Sequence, residues 1–123
     1  METITAFVCD GKHSLEALVT RTRNGFCIYL GGGEEAHIGT VVISQPRPSL
    51  RGDGVISCTS SVINLMGHKD DGLALPLAEE LCRKSNLVVA VTAGVHIDGA
   101  TREDLRRFQN NLEKLVQQIL EKV

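Results

Sequence analysis

Apolar and polar residues alternate through the first third of the chain, with the two-residue period of half-buried β-strands. The alternation runs through Thr3 to Cys9 and resumes in Leu15 to Thr22. A third apolar segment, Phe26 to Leu30, follows the hairpin signal Arg23-Asn24-Gly25. These segments predict three strands joined as an antiparallel meander.

Further along the chain, three runs predict strands, of which the first is rich in β-branched residues and expected to be buried and the last is expected to be central. They are Thr40 to Ser44, Val55 to Ile63, and Leu87 to Ala93. Pro46 and Pro48 are expected to stop the first of them, because proline cannot donate to a sheet ladder. We therefore expect Gln45 to Gly54 to form an exposed loop.

Two segments have the apolar spacing of helices. Pro76 is tolerated in a first turn, so the earlier helix is predicted to begin near Gly72 or Leu73. Thr101 is a predicted N-cap for the later helix. The apolar stripe of that helix comprises Leu105, Phe108, Leu112, Leu115, Val116, Ile119 and Leu120.

The elements together predict the fold class. The length of 123 residues, with 42% hydrophobic and 23% charged residues, fits one ordinary globular domain. We predict a single α+β domain over residues 1–123. Its mostly antiparallel sheet carries two main helices on one face.

Composition argues against several classes of partner. Aromatic residues make up 3% of the chain and the formal net charge is −2, so a nucleic-acid partner is not expected. No apolar run approaches the roughly 20 residues of a membrane helix. We see no secretory signal and expect a cytoplasmic protein without a membrane partner. The four cysteines are scattered without a CxxC pair, which disfavours a zinc ribbon.

Three segments combine glycine with histidine beside a predicted strand boundary, and we expect them to converge on one site. They run from Gly31 to Gly39, from Gly67 to Asp71, and from Gly94 to Gly99. The candidate binding residues in them are Gly32, Gly33, His37, Gly39, Gly67, His68, Lys69, Asp70, His96 and Asp98.

The same residues support more than one chemistry. Lys69 and the free N–H groups of a helix start suit a phosphate or flavin phosphate, and the triple glycine permits close backbone approach. A metal site would instead use His37, His68, His96 and Asp98, although their spacing matches no compact metal motif. A purely structural interpretation also stays open, in which the glycines make turns and the acids cap a helix. No nucleophile stands in a recognisable catalytic motif.

The order of three motifs resembles the prenylated flavin chaperone LpdD-like family. The motifs are the glycines followed by His37-Ile38-Gly39, then Gly67-His68-Lys69-Asp70-Asp71, then Ala93-Gly94-Val95-His96-Ile97-Asp98. The resemblance spans roughly Leu30 to Leu105, and a terminal helix follows. It implies a non-catalytic helper that binds prenylated FMN or FMN as cargo.

The resemblance also implies partners. The helper would take the cofactor from a flavin prenyltransferase and pass it to the catalytic subunit of a UbiD-type aromatic acid decarboxylase, such as a gallate or hydroxybenzoate decarboxylase. Lys69 would hold the phosphate, and the three histidines would contact the polar ring edge or the ribityl chain. With no clear aromatic partner in the motifs, Ile38, Val95 or Ile97 would cover the ring.

Two other functions remain as alternatives. One is a small metal-dependent enzyme, hydrolase or decarboxylase-like, built on His37, His68, His96 and Asp98. The other is an assembly subunit that forms a homo-oligomer through its terminal helix without a ligand.

Overall fold

The computed structural model describes residues 1–65 and 71–123. Its six strands are β1 (Glu2–Val8), β2 (Leu15–Arg21), β3 (Gly25–Gly33), β4 (Glu35–Pro48), β5 (Ile56–Asn64) and β6 (Val88–His96). They form one sheet in the order β1-β2-β3-β6-β4-β5. Neighbouring strands are antiparallel except β3 and β6, which run parallel. The predicted α+β class is confirmed.

Both helices pack on the same face of the sheet. α1 (Asp71–Ser85) lies against β4, β5 and β6, α2 (Arg102–Lys122) lies against β1 and β2, and the two helices touch each other. Every second residue of the inner strands points into this layer, and Leu15, Ile28 and Leu30 are fully buried there. In the described part of the chain, neither helix is long and apolar enough to cross a membrane.

The prediction that Pro46 and Pro48 stop a strand is wrong. β4 continues through both prolines, so the predicted loop begins only after Pro48. Past Ser44, β4 pairs with β5 alone, because its ladder with β6 ends at the Ser44–Val89 pair. Proline is compatible with such an edge, since an N–H directed away from the single partner is not needed.

The triple glycine lies inside a strand and not beyond its end, which differs from the prediction. Gly31, Gly32 and Gly33 continue β3 and pair with β6 up to His96. β4 follows almost at once, and its register shifts between Ala36 and Thr40, which marks a bulge. The segments that contain the triple glycine, His37 and His96 are therefore positioned by two ladders, β3 with β6 and β4 with β6.

Helix α1 begins slightly earlier than predicted. It starts at Asp71, and Pro76 lies inside the helix, beyond its first turn. Helix ends commonly differ by one or two residues between assignments, but the position of Pro76 corrects the argument that placed it in the first turn.

A buried polar cluster fixes the start of α2 to the turn after β1. Thr101 and Asp104 form a capping box, in which each side chain accepts from the other residue's backbone N–H. His13 lies in a short 3₁₀ turn, and its Nε2 is 2.7 Å from Asp104 Oδ1. Arg107 donates to Asp10 over 2.7 Å, which ties the same turn to the next turn of α2.

Because of Asp104, this cluster makes the stability of the fold depend on pH in the acidic range. The hydrogen bonds from the Thr101 backbone and from His13 lower the pKa of Asp104 from 3.8 to about 2. Because the folded pKa is the lower one, the carboxylate contributes stability above about pH 4, and that contribution disappears as the pH falls through about 2. Urea unfolding across this range is expected to show a smaller loss of stability in Asp104→Asn than in the wild type. An identical loss in both proteins would contradict the assignment.

The side of the sheet opposite the helices has no covering element among the described residues, and we call it the open face. Two rows of side chains cross it on all six strands. The first row is Thr5, Leu18, Tyr29, Thr92, Val41 and Ile63. The second row is Thr3, Thr20, Cys27, Ala90, Ile43 and Ser61.

Candidate functional site

A groove at one end of the open face contains the triple glycine. Its volume is about 380 Å³, which lies within the usual range of small-molecule sites. We call it the glycine groove. Its floor is Gly31 to Gly33, its apolar walls include Phe7, Leu18 and Tyr29, and its acidic rim is Glu16, Glu34 and Glu35.

Glycine is required at the floor because neighbouring atoms leave no room for side chains. A Cβ on Gly31 would lie 2.8 Å from the Tyr29 ring. Gly33 has a φ of +71°, and a Cβ there would lie 2.2 Å from the backbone oxygen of His96. The missing side chain at Gly31 lets the Tyr29 ring lie directly against the strand, where it forms a wall of the groove.

The aromatic walls were not predicted. Tyr29 is positioned by a 2.6 Å hydrogen bond that its hydroxyl donates to the backbone oxygen of His37. Phe7 is half exposed, while the amide of Gln118 on α2 bonds both the backbone N–H and the backbone oxygen of Phe7. One feature of the sequence could have indicated the Phe7 wall. In the alternation of β1, Phe7 stands on the polar side with Thr3 and Thr5, where an aromatic residue is unusual for a solvent-facing strand.

Two of the predicted histidines come together beside the groove. The rings of His37 and His96 meet edge to face, with centroids 6.2 Å apart. Gly94 makes this approach possible, since a Cβ there would lie only 1.8 Å from the backbone oxygen of His37. His96 Nε2 lies 2.7 Å from Asp98 Oδ1. The first and third of the three sequence motifs, which contain His37 and His96, therefore share one edge of the sheet.

The acidic surroundings favour a protonated His96. The hydrogen bond to Asp98 raises the pKa of His96, and the charges of Asp98, Glu35 and Glu34 act in the same direction. Desolvation opposes them but does not reverse the shift. The histidine edge of the groove thus carries a positive charge to higher pH than an isolated imidazole would.

We predict that Asp98 is the main cause of this shift. In Asp98→Asn, the titration of His96 is expected to move to lower pH, because the charged form loses its acceptor. The chemical shift of the His96 ring proton, followed by NMR against pH, measures this directly. Glu103→Gln, far along the chain on α2, is the matched carboxylate control and is expected to leave the curve unchanged. Equal curves for wild type and Asp98→Asn would refute the assignment.

Four predicted binding residues, Gly67, His68, Lys69 and Asp70, lie outside the described residues. The described chain reaches Leu65, whose N–H donates to the backbone oxygen of Gly39 over 2.8 Å. This bond places the end of β5 at the β4 bulge, two residues from His37. The role of the four residues stays a prediction.

The metal alternative finds no support in residues 1–65 and 71–123. Within those ranges, no three histidine, cysteine, aspartate or glutamate side chains are grouped so that they could hold a metal ion. His96 and Asp98 form a hydrogen-bonded pair beside His37, and the fourth proposed ligand, His68, lies outside the ranges.

The apolar residues expected to cover a flavin ring do not line the groove. Ile97 is buried in the core, and Ile38 is exposed. The apolar walls of the groove include Phe7 and Tyr29, on β1 and β3, and the role of Ile38, Val95 and Ile97 stays a prediction.

A second and larger groove, of about 550 Å³, lies between the two helices. Its walls combine apolar Leu112 and Val116 with charged groups of both signs, among them Glu79 and Arg83. Of the predicted site residues that the structure describes, none lines it, whereas Gly32 and Gly33 line the glycine groove, which is therefore the candidate site.

A comparison with protein families shows which family the chain is related to. The model of the prenylated flavin chaperone LpdD-like domain matches residues 9–123. The chain belongs to this family. The sequence resemblance is thus confirmed, and the family match extends beyond the three motifs to β2 and to all of α2. None of the curated proteins is similar enough in sequence to count as a relative of this LpdD-like domain.

Among solved structures, the LpdD-like domain resembles a chain from a chaperone complex for yeast 20S proteasome assembly. The TM-score is 0.56, and the match covers 98% of this chain and 92% of the other. Sequence identity is 14%, so the likeness concerns the fold alone.

Proposed function

We propose that the chain binds prenylated FMN in the glycine groove and delivers it to the catalytic subunit of a UbiD-type aromatic acid decarboxylase. Membership of the prenylated flavin chaperone family carries the proposal. The groove supplies what such a cargo needs, namely apolar aromatic walls, a backbone floor and polar groups at the edge.

The isoalloxazine ring is proposed to lie between Phe7 and the Tyr29 ring that packs on Gly31. An aromatic ring stacked on a flat cargo contributes roughly 1–3 kcal/mol, as measured for nucleic-acid bases. Leu18 extends the apolar wall. The ring carbonyls and N–H groups remain near the rim, where histidine and glutamate side chains can bond them.

The phosphate is proposed to leave the groove on its histidine side. Glu16, Glu34 and Glu35 line the groove itself and would repel a phosphate placed among them. His96, the ladder partner of Glu35, carries positive charge beside the groove, and the bond between Leu65 and Gly39 brings the chain leading to Lys69 toward that side. Lys69 is therefore retained as the proposed phosphate ligand.

A carrier must also release its cargo. The glycine groove lies at the protein surface, and its acidic rim limits the affinity for an anionic cofactor, which favours transfer to an enzyme that encloses the cofactor more fully. The chain would act after a flavin prenyltransferase and before the decarboxylase, without a catalytic residue of its own.

Reconstitution of an apo-decarboxylase tests delivery. Prenylated FMN is supplied under anaerobic conditions with wild-type chain, with Phe7→Ala, or with no chain, and decarboxylase activity is followed over time. We expect the wild-type chain to accelerate activation and Phe7→Ala to do so much less. Equal activation with and without the wild-type chain would overturn the delivery role.

A further inference from the structure

The middle of the open face carries no charge, and the acidic Glu16 lies beyond it, in the row of the glycine groove. The chain contains 13 basic and 15 acidic residues, yet none of the twelve side chains in the two rows defined above is charged. Seven of them are apolar or aromatic, and the other five are threonine or serine. The solvent side of an antiparallel sheet is ordinarily polar, so this composition is that of a buried surface.

Large apolar side chains on these rows are exposed to solvent. Val41 and Ile43 on β4 are 41% and 40% exposed, Leu18 on β2 is 49% exposed, and Ile63 on β5 is 68% exposed. They lie in adjacent rows of one continuous sheet, and contiguous patches of this kind mark interaction sites.

We propose that the open face binds a second copy of this chain, sheet against sheet, about a two-fold axis. Charge argues for this occupant. A surface that meets its own copy must avoid like charges opposite each other, and an uncharged face meets this condition in any register. A strongly acidic or basic partner would find no complementary charge on the two rows.

The area of the face matches what a dimer requires. Six strands about 4.8 Å apart span roughly 24 Å, and with side-chain width the two rows and the uncharged row beyond Cys27 and Ala90 (Gly25, Val88, Gln45 and Thr59) cover on the order of 600 Å² per copy. Two copies would then bury about 1,200 Å², the lower end of specific interfaces. Paired sheets pack about 10 Å apart, and the β-branched and small residues of the rows suit that spacing.

The position of the axis follows from the strand order. β3 and β6 are the two central strands, so Cys27 and Ala90 lie at the middle of the face. The glycine groove shares Leu18 and Tyr29 with the first row and otherwise lies beyond it, at the margin of the proposed interface. The dimer goes beyond the proposed function and does not depend on it.

Sedimentation velocity of the full chain, from micromolar to millimolar concentration, tests the dimer. We expect the wild type to sediment as a dimer that dissociates on dilution. Val41→Lys and Ile43→Lys place a charge on the face and are expected to sediment as monomers. Leu105→Lys changes a residue of α2 that is 53% exposed and is expected to remain dimeric.

Circular dichroism verifies that each variant is folded, and two face variants keep the test valid if one of them unfolds. A wild type that is monomeric throughout would overturn the proposal. A dimer retained equally in Val41→Lys, Ile43→Lys and Leu105→Lys would place the interface elsewhere and overturn it as well.

Alkylation of native cysteines gives a second test. Cys9 and Cys27 are both exposed in the single chain, but only Cys27 lies on the two rows. We expect the alkylation rate of Cys27 to fall as protein concentration rises, while that of Cys9 stays constant. Concentration-independent rates at both cysteines would contradict an interface at the open face.

Discussion

Gly94→Ala is expected to destabilise the domain by about 3 kcal/mol or more. A Cβ at this position would lie 1.8 Å from the backbone oxygen of His37 and 2.3 Å from its carbonyl carbon. Because both are backbone atoms of the adjoining strand, no rotation of a side chain relieves the clash. The β4 bulge must move away from β6, which separates His37 from His96.

Urea unfolding measures this loss, and Gly72→Ala is the matched control. A Cβ on Gly72, in the first turn of α1, meets no atom within 4 Å. The same chemical change is therefore expected to leave stability unchanged or to raise it slightly. Equal midpoints for Gly94→Ala and the wild type would show that the strands do not approach as closely as described.

Phe7→Ala is expected to weaken flavin binding by about tenfold or more. Removing one stacked ring costs roughly 1–3 kcal/mol, and each 1.4 kcal/mol is a factor of ten in Kd. The fold is expected to persist, because the side chain is half exposed and Gln118 holds the backbone of Phe7.

The affinity of Phe7→Ala is measured by fluorescence titration of FMN and of prenylated FMN. Leu50→Ala removes another exposed apolar side chain, in the loop after β4 and outside the glycine groove, and is expected to bind as the wild type does. If the Kd of Phe7→Ala equalled that of Leu50→Ala, the ring would not lie against Phe7.

The sequence predicted the fold well because its strands follow a regular period. Ala6 and Val8 on β1, and Leu15 and Ala17 on β2, alternate with polar neighbours, and the structure buries them against the helices. The Thr101 cap likewise set the start of α2, since a capping side chain is a local signal.

The sequence failed where long-range pairing overrides local propensity. Consecutive glycines locally favour a loop, yet Gly31 to Gly33 belong to β3 because they pair in parallel with β6. Pro46 locally predicts the end of a strand, yet β4 tolerates it because β4 has only one neighbouring strand, β5, at that position. These outcomes depend on which strands become neighbours, and residue order alone does not determine that.

The sequence predicted only part of the candidate site, because the rest also depends on which strands become neighbours. The glycine and histidine segments that flank the β3–β6 ladder do meet, as the pairing of His37 with His96 demonstrates. The walls of the groove come from β1 and β2, outside all three motifs, so only the folded sheet brings Phe7 and Leu18 to Gly31. The phosphate role of Lys69 stays a prediction.

Flavin binding in the glycine groove is the central claim, and an equilibrium titration of the wild-type chain tests it most directly. Prenylated FMN, kept anaerobic, and FMN are each titrated with protein while flavin fluorescence and absorbance are followed. We expect saturation at one flavin per chain, and weaker binding to Gly31→Ala, whose added methyl group would displace the Tyr29 ring from the wall of the groove. Absence of saturable binding of either flavin, or an unchanged Kd in Gly31→Ala, would contradict this claim.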